Sequence, residues 1–307
     1  MNERYWGVDL GGTKIEAVIT DSNMRQLIRR RIPTAADSGY ERILRRIVGL
    51  LEGLSEETGC PLPPRIGIGT PGRYEEASCS MSNSNTRCLN GRDLKGDLEY
   101  LLRRETVIAN DANCFVLAES LLGAGRDVMR EGDGRTAFGM IIGTGVGGGI
   151  VSGGRVLTGA HGIAGEWGHN VLIPDGEPCY CGKRGCVETV ISGPALEGYY
   201  RSLTGFSKSL REIAALVSED TAAEATIRRL TVYFGAALSA VLNILDPHCC
   251  IIGGGVGNID TLYSEKTRGI IEGGLFSKKL MVPLLKPRFG DSAGVLGAAL
   301  LAAGLET

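Results

Sequence analysis

A surplus of positive charge is missing from this chain. Its 33 Lys and Arg stand against 35 Asp and Glu, for a formal net charge of −2, and the sequence pI is about 6.0. Proteins that read nucleic acid ordinarily show a basic patch or a high pI, so a polyanion partner is not expected. Long apolar runs are missing as well. No stretch reaches the roughly 18 residues that a spanning helix needs, and the opening Met-Asn-Glu-Arg does not have the form of an export leader. The expectation is a cytoplasmic protein without a membrane partner. In that reducing compartment an odd number of cysteines, nine here, does not read as a disulfide framework. Cys60, Cys79, Cys88, Cys114, Cys249 and Cys250 are scattered and read as core or surface thiols. A Walker A run, glycine-x₄-glycine-lysine-Ser/Thr, is also absent.

Glycine is plentiful, at 46 of 307 residues, and it is clustered, which marks loops where backbone approaches something closely. The length suits two domains. The opening "YWGVDLGGTKIEAVITDSNMRQLIRRRIPT" reads as strands around a glycine pair and a turn. Tyr40 to Thr58 follows a helical period, with Ile43, Ile47, Leu50, Leu51 and Leu54 on one face. "RIGIGTPG" is a short strand stopped by Pro71 and Gly72, and "TVIANDAN" is a strand that runs into the helix "CFVLAESLLGA". "TAFGMIIGTGVGGGIVSGGRVL" then repeats the opening order, with "GGR" at 153–155 as a hairpin tip. Helices dominate from Ser192 to Leu245. "DPHCCIIGGGVGN" is a last buried strand feeding a glycine loop, and a small-residue helix closes the chain. Strands alternating with helices, twice over, predict two related α/β halves.

Three glycine loops have the makings of a phosphate cradle: "DLGGTK" (9–14), "GTGVGG" (143–148) and "GGGVGN" (253–258). Without Cβ atoms, several backbone N–H groups can converge on an anion; a tight turn between strands is the plainer reading of each. Gly143, Gly145 and Gly148 match G-x-G-x-x-G, but a dinucleotide fingerprint opens a helix and this one opens a strand. Asp111 lies where a strand ends and a helix begins, the edge at which open α/β sheets place ligands. Its carboxylate suits a general base or, more plainly, a helix N-cap. Asp9, beside the first glycine loop, reads equally as a turn residue.

"GEWGHNVLIPDGEPCYCGKRGCVE" (165–188) gathers His169, Cys179, Cys181 and Cys186. Three thiols and one imidazole make a complete tetrahedral zinc set with no position for water, hence a structural site; loop cysteines are the alternative. Gly182 and Gly185 permit the tight chain path of such a knuckle. Glu166 and Glu188 flank it, and on residue type alone they belong to a solvated face.

Taken together, "VDLGGTK", "GIGTPG", "LNG", "ANDANC", "GTGVGGG", "GEWGH", "CYCGKRGCVET" and "GDSAGVLGAA" resemble the actin-like sugar kinases. The chain looks most like the fructokinase or mannofructokinase branch of the ROK family (repressors, open reading frames, kinases). That resemblance implies a two-lobed actin-like (ribonuclease H-like) ATPase fold with duplicated α/β halves and an interlobe active-site cleft. Residues 1–110 with the C-terminal helix 291–307 would form the small lobe, and 111–290 the large lobe with the zinc loop. It implies ATP and a hexose as ligands, fructose first, with mannose as a further acceptor; an N-acetylhexosamine or glucose kinase is the alternative. Asp111 would be the catalytic base. Gly72, Asn110, Glu166, His169 and Glu188 would hold the sugar, with Asn85 a looser member. Gly11, Gly12, Thr13, Lys14, Thr144 and Gly145 would follow the phosphates, and Gly254 and Gly255 the adenosine. Asp9 would position Mg²⁺ through water. Zn²⁺ would sit on His169, Cys179, Cys181 and Cys186, and a homodimer is implied. Cys88 stands where relatives often carry an aromatic before "LNG". ROK repressors add an N-terminal helix-turn-helix; this sequence enters "GVDLGGTK" at Gly7, so a sugar-sensing regulator is the lesser expectation.

Overall fold

Consecutive buried residues mark the first two strands as interior strands of the computed structural model, which describes residues 3–304. Strands β1 (Arg4–Leu10), β2 (Lys14–Asp21) and β3 (Gln26–Pro33) form a meander, followed by helix α1 (Tyr40–Thr58). Next come β4 (Arg65–Thr70), a small ribbon of β5 (Arg73–Glu75) and β6 (Ser80–Ser82), and helix α2 (Leu94–Leu102). Strand β7 (Glu105–Asn110) runs directly into α3 (Asp111–Leu121), and α4 (Arg126–Arg130) follows. The second meander is β8 (Thr136–Ile142), β9 (Val146–Ser152) and β10 (Arg155–Val156). Helices α5 (Val187–Ile191), α6 (Gly193–Thr204), α7 (Leu210–Ala215) and α8 (Thr221–Leu245) come before β11 (Cys249–Gly253). The chain finishes with α9 (Gly254–Gly257), α10 (Glu265–Gly274), β12 (Leu284–Leu285) and α11 (Ala293–Ala303).

Two compact units result. One comprises 1–122, 151–164 and 291–307, the other 123–150 and 165–290. The first is larger than the 1–110 lobe expected: it takes in α3, which packs against α11, and residues 151–164. Strand order is β3-β2-β1-β4-β7 in one sheet and β10-β9-β8-β11-β12 in the other. The two orders correspond position by position, as a duplicated architecture requires.

Helix α1 buries Ile43, Ile47, Leu51 and Leu54 against the first sheet, whereas Leu50 is only partly covered. It stops at Gly59, whose φ of 63° gives the left-handed C-cap that glycine favours. Helix α11 is apolar all round, and Ala293, Val295, Leu296 and Ala298 to Ala302 are buried, the condition under which such a helix is stable. Its seat is made of glycine. A Cβ at Gly67 would lie 1.8 Å from the Ala298 carbonyl oxygen, and one at Gly297 1.9 Å from that of Cys114. The second core gathers Phe138, Trp167, Ile191, Leu230 and Phe234 among others.

Two sequence expectations change. "GGGVGN" is not a loop: Gly254 to Gly257 form a helical turn, entered through Gly254 at φ 82°. Strand β11 is the last buried strand, as expected, and the short, partly buried β12 pairs with it in parallel. The tip of the second hairpin is Gly153–Gly154, and Arg155 already belongs to β10.

The glycine seat is testable. Gly67→Ala should lower unfolding stability by about 3 kcal/mol or more, since backbone stands in the way. Gly49→Ala, in open space on α1, should stabilise by about 0.5–1 kcal/mol. Urea unfolding of both variants checks the contrast, and equal midpoints would refute the close packing.

Candidate active site

Strand register brings two carboxylates to the same end of the first sheet. Asp9 on β1 is paired with Gly69 on β4, and Gly69 with Ala109 on β7, two residues before Asp111. Gly69 offers no side chain between them; a Cβ there would lie 3.6 Å from Asp9 Oδ1 and 3.2 Å from the buried Cys114 thiol. Asp9 is pushed up to about 6, first by burial and then by the charge of Asp111, while Lys14, Arg31 and Arg29 oppose the rise. Burial, then Asp9 and Asp111, also push the Cys114 thiol well up. Asp111 is not the helix N-cap. Asn110 takes that place, accepting from Ala112 N–H at 2.9 Å, and Asp111 is the first helical residue, its Oδ1 accepting from the same N–H at 2.8 Å. The Asn110 amide also donates to the Gly72 carbonyl at 3.0 Å, so those two expected residues lie side by side. Gly72 has φ 80°, and a Cβ would strike Ser82 and Ser84. Asn85 is exposed in the same loop, and Cys88 is turned away from it, its thiol toward the Ala36 carbonyl.

The first glycine loop closes on itself. Gly11 N–H donates to Lys14 O at 2.9 Å, Thr34 N–H to Thr13 O at 2.9 Å, and the Thr34 hydroxyl to Gly11 O at 2.6 Å. Gly12 lies at its tip, and Lys14 reaches Asp291 at 3.6 Å. Beneath it lies a network that sequence reading missed. Glu16 is fully buried, and Arg31 donates to its Oε2 from Nε at 3.1 Å and Nη2 at 2.8 Å, with Arg29 paired to the other oxygen. The signal was present as a run of three arginines on the strand facing Glu16, but a charge run ordinarily belongs to a solvated edge.

In the second unit, the turn between β8 and β9 is held three ways. Gly143 N–H donates to Gly145 O at 2.9 Å, and Gly193 N–H donates to Gly143 O at 2.8 Å. Val146 N–H donates to Glu188 Oε2 at 2.9 Å. Gly143 and Thr144 line a cavity of about 930 Å³ together with Gly193, Glu197, Gly255 and Val256. Its size and mixed lining suit a nucleoside. Gly254 approaches the β8 backbone, where a Cβ would lie 2.3 Å from Ile142 O.

The expected cluster also assembles. The ligand atoms of His169, Cys179, Cys181 and Cys186 lie within 4.8 Å of one another. Cys181 Sγ and Cys186 Sγ are 3.6 Å apart, as are Cys179 Sγ and His169 Nδ1. Tetrahedral zinc, with Zn–S about 2.3 Å, spaces its ligands by roughly 3.5–3.8 Å. The donors fit a closed zinc site. Gly182 and Gly185 have φ of 88° and 68°, and Gly185 O accepts from Leu172 and Ile173 N–H at 2.7 and 3.0 Å. Trp167 anchors the histidine turn, its indole donating to Gly147 O at 3.0 Å.

His169 Nε2 faces the other way, 3.0 Å from the Tyr180 hydroxyl, with the two rings edge to face. Burial, then the charges of Glu188 and Glu166, push Tyr180 up to about 12. Tyr180 was not foreseen; its only signal was its place between two ligand cysteines.

Residues 5–304 match the model of the ROK family, and the chain belongs to that family. It is 34% identical over 310 residues to the N-acetyl-D-glucosamine kinase of Yersinia pseudotuberculosis, covering 97% of this chain and 98% of the relative. Among solved structures, the ROK hexokinase from Thermus thermophilus is 32% identical with a TM-score of 0.83, covering 98% of each chain. The ROK family glucokinase from Streptomyces griseus, in complex with glucose and AMPPNP, is 29% identical with a TM-score of 0.78, covering 98% of this chain and 100% of that one. The two-domain actin-like α/β fold is shared with these proteins. Among the described residues, no helix is long and apolar enough to cross a membrane.

Two measurements follow. Metal analysis of the purified chain should return about one zinc per molecule, and Cys181→Ser should hold far less after chelator dialysis; a value near zero on folded wild-type protein would remove zinc from the cluster. For Asp9, the folded chain binds the proton more tightly than the unfolded one, so stability is lost as pH rises from about 4 through 6. Asp9→Asn should therefore gain about 2 kcal/mol at pH 7.5 in metal-free buffer and little at pH 4, as read by urea midpoints at the two pH values.

Proposed function

We propose that this chain is an ATP-dependent sugar kinase whose acceptor is N-acetyl-D-glucosamine. The observation that carries the acceptor is the 34% identity, across nearly the full length of both chains, to an N-acetyl-D-glucosamine kinase. The motif resemblance pointed to fructose, but those motifs mark the shared machinery of the family more than its acceptor. Glucose is the second reading, favoured by the hexokinase and glucokinase among the similar structures.

In this reading Asp111 accepts the proton of the attacking hydroxyl. The sugar oxygen forms a bond to the γ-phosphorus as the bond to the β-phosphate oxygen breaks, and the electron pair leaves with ADP. Such transfer depends on alignment and on electrostatic stabilisation of the phosphoryl oxygens. The turns at Gly11–Lys14 and Thr144–Gly145 hold the phosphates through backbone N–H groups, and the 930 Å³ cavity beside Gly255 takes the nucleoside. Asn110, Gly72, Glu166, His169 and Glu188 bind sugar hydroxyls. Asp9, half-buried with Asp111 close by, suits a hard cation held through water; Mg²⁺ bound there supplies charge neutralisation on the phosphates. Zinc on the knuckle is structural, since its four protein donors leave no open position.

A panel of N-acetyl-D-glucosamine, glucose, mannose and fructose, followed by ADP release, tests the acceptor. N-Acetyl-D-glucosamine should give the highest kcat/KM. Asp111→Asn should lower kcat by about 10²–10⁴ while retaining nucleotide binding. Phosphorylation of none of these sugars, or a clear preference for fructose, would overturn the assignment.

A further inference from the structure

Glu188 is placed to do more than bind a sugar. It lies two residues beyond Cys186, in the first turn of α5, so the fold of the knuckle fixes its position. From there its side chain reaches the β8–β9 turn, and Oε2 accepts the Val146 N–H at 2.9 Å. The contact is close on the glycine side as well: a Cβ at Gly145 would lie 2.7 Å from Oε2. Five residues on, Gly193 N–H donates to Gly143 O at 2.8 Å. The segment 188–193 therefore grips both ends of the turn, and Glu188 is its only side-chain contact there to a turn N–H among the described residues. The same carboxylate bears on Tyr180, which bonds His169 Nε2.

We propose that Glu188 is a positioning residue that couples the two substrates: one carboxylate oxygen sets the phosphate turn at Thr144–Gly145 while the other receives the acceptor sugar. This rests on the kinase reading above. A carboxylate has acceptor capacity for both at once, and a charge-assisted bond to a backbone N–H is among the stronger polar contacts available. Loss of the residue therefore loosens the nucleotide side although the residue belongs to the acceptor side. Reciprocally, a disturbance of the turn displaces the carboxylate and weakens the acceptor, as linkage demands.

The test measures each substrate alone by calorimetry, using Mg-AMPPNP and N-acetyl-D-glucosamine, on the full chain. Glu188→Ala should weaken Mg-AMPPNP binding about tenfold in the absence of sugar. Glu188→Gln keeps an oxygen for Val146 N–H and should restore nucleotide affinity to within about threefold, while sugar binding stays weakened. Gly145→Ala should weaken sugar binding in the absence of nucleotide. Circular dichroism on each variant checks that it folds, and Glu188→Gln carries the argument should Glu188→Ala unfold. Wild-type nucleotide affinity in Glu188→Ala, with sugar binding lost, would sink the coupling and leave the kinase reading intact. Unchanged binding of both ligands in Glu188→Ala would sink the coupling and the sugar role of Glu188 together.

Discussion

Two like charges held at the same end of a sheet are the constraint on which the first unit is built. Asp9 comes from β1 and Asp111 from the first residue of α3, just past the end of β7, with Gly69 of β4 between those two strands. Nothing in the packing of a hydrophobic core favours that arrangement; burial and mutual repulsion hold the Asp9 carboxyl near a pKa of about 6. The surrounding structure offsets the strain with charge: Lys14, Arg31 and Arg29 oppose the rise at Asp9, and the buried Glu16 keeps Arg29 and Arg31 in place. Carboxylates perturbed by burial and a like charge cluster at functional sites.

The second unit solves a different problem, the rigidity of loops. Glycine-rich turns present backbone N–H groups well but hold no shape of their own, since glycine loses the most conformational freedom on ordering. The knuckle supplies the missing order. Four donors close one loop, and the segment that leaves it ties down the β8–β9 turn through Glu188 and Gly193.

How much of this was legible depended on how local the cause was. Helix α1 was read to its last residue because its apolar period and the terminating Gly59 are both local. The meanders were read from strand-like segments set around glycine and turn residues. The 2-residue strand β12 carries no period at all and exists because β11 has an open edge. The ribbon β5–β6, "RYE" and "SMS", has no strand composition. Asn110 rather than Asp111 caps α3 because β7 extends one residue further than its apolar run. Tyr180 and the Glu16–Arg29–Arg31 network were invisible because exposed-looking residue types acquire partners only through folding.

The residue string by itself determined which chemical groups are present and in what local order: hairpins with glycine tips, a carboxylate at a strand-to-helix junction, and three thiols with one imidazole. Those follow from backbone sterics and ligand chemistry, which act over a few residues. Tertiary structure alone decided which groups meet. Register across three strands brought Asp9 to Asp111, and the path of the chain beyond Cys186 brought Glu188 to Val146, 42 residues away in sequence. Contacts of that range depend on how whole elements pack, which no short stretch of sequence encodes.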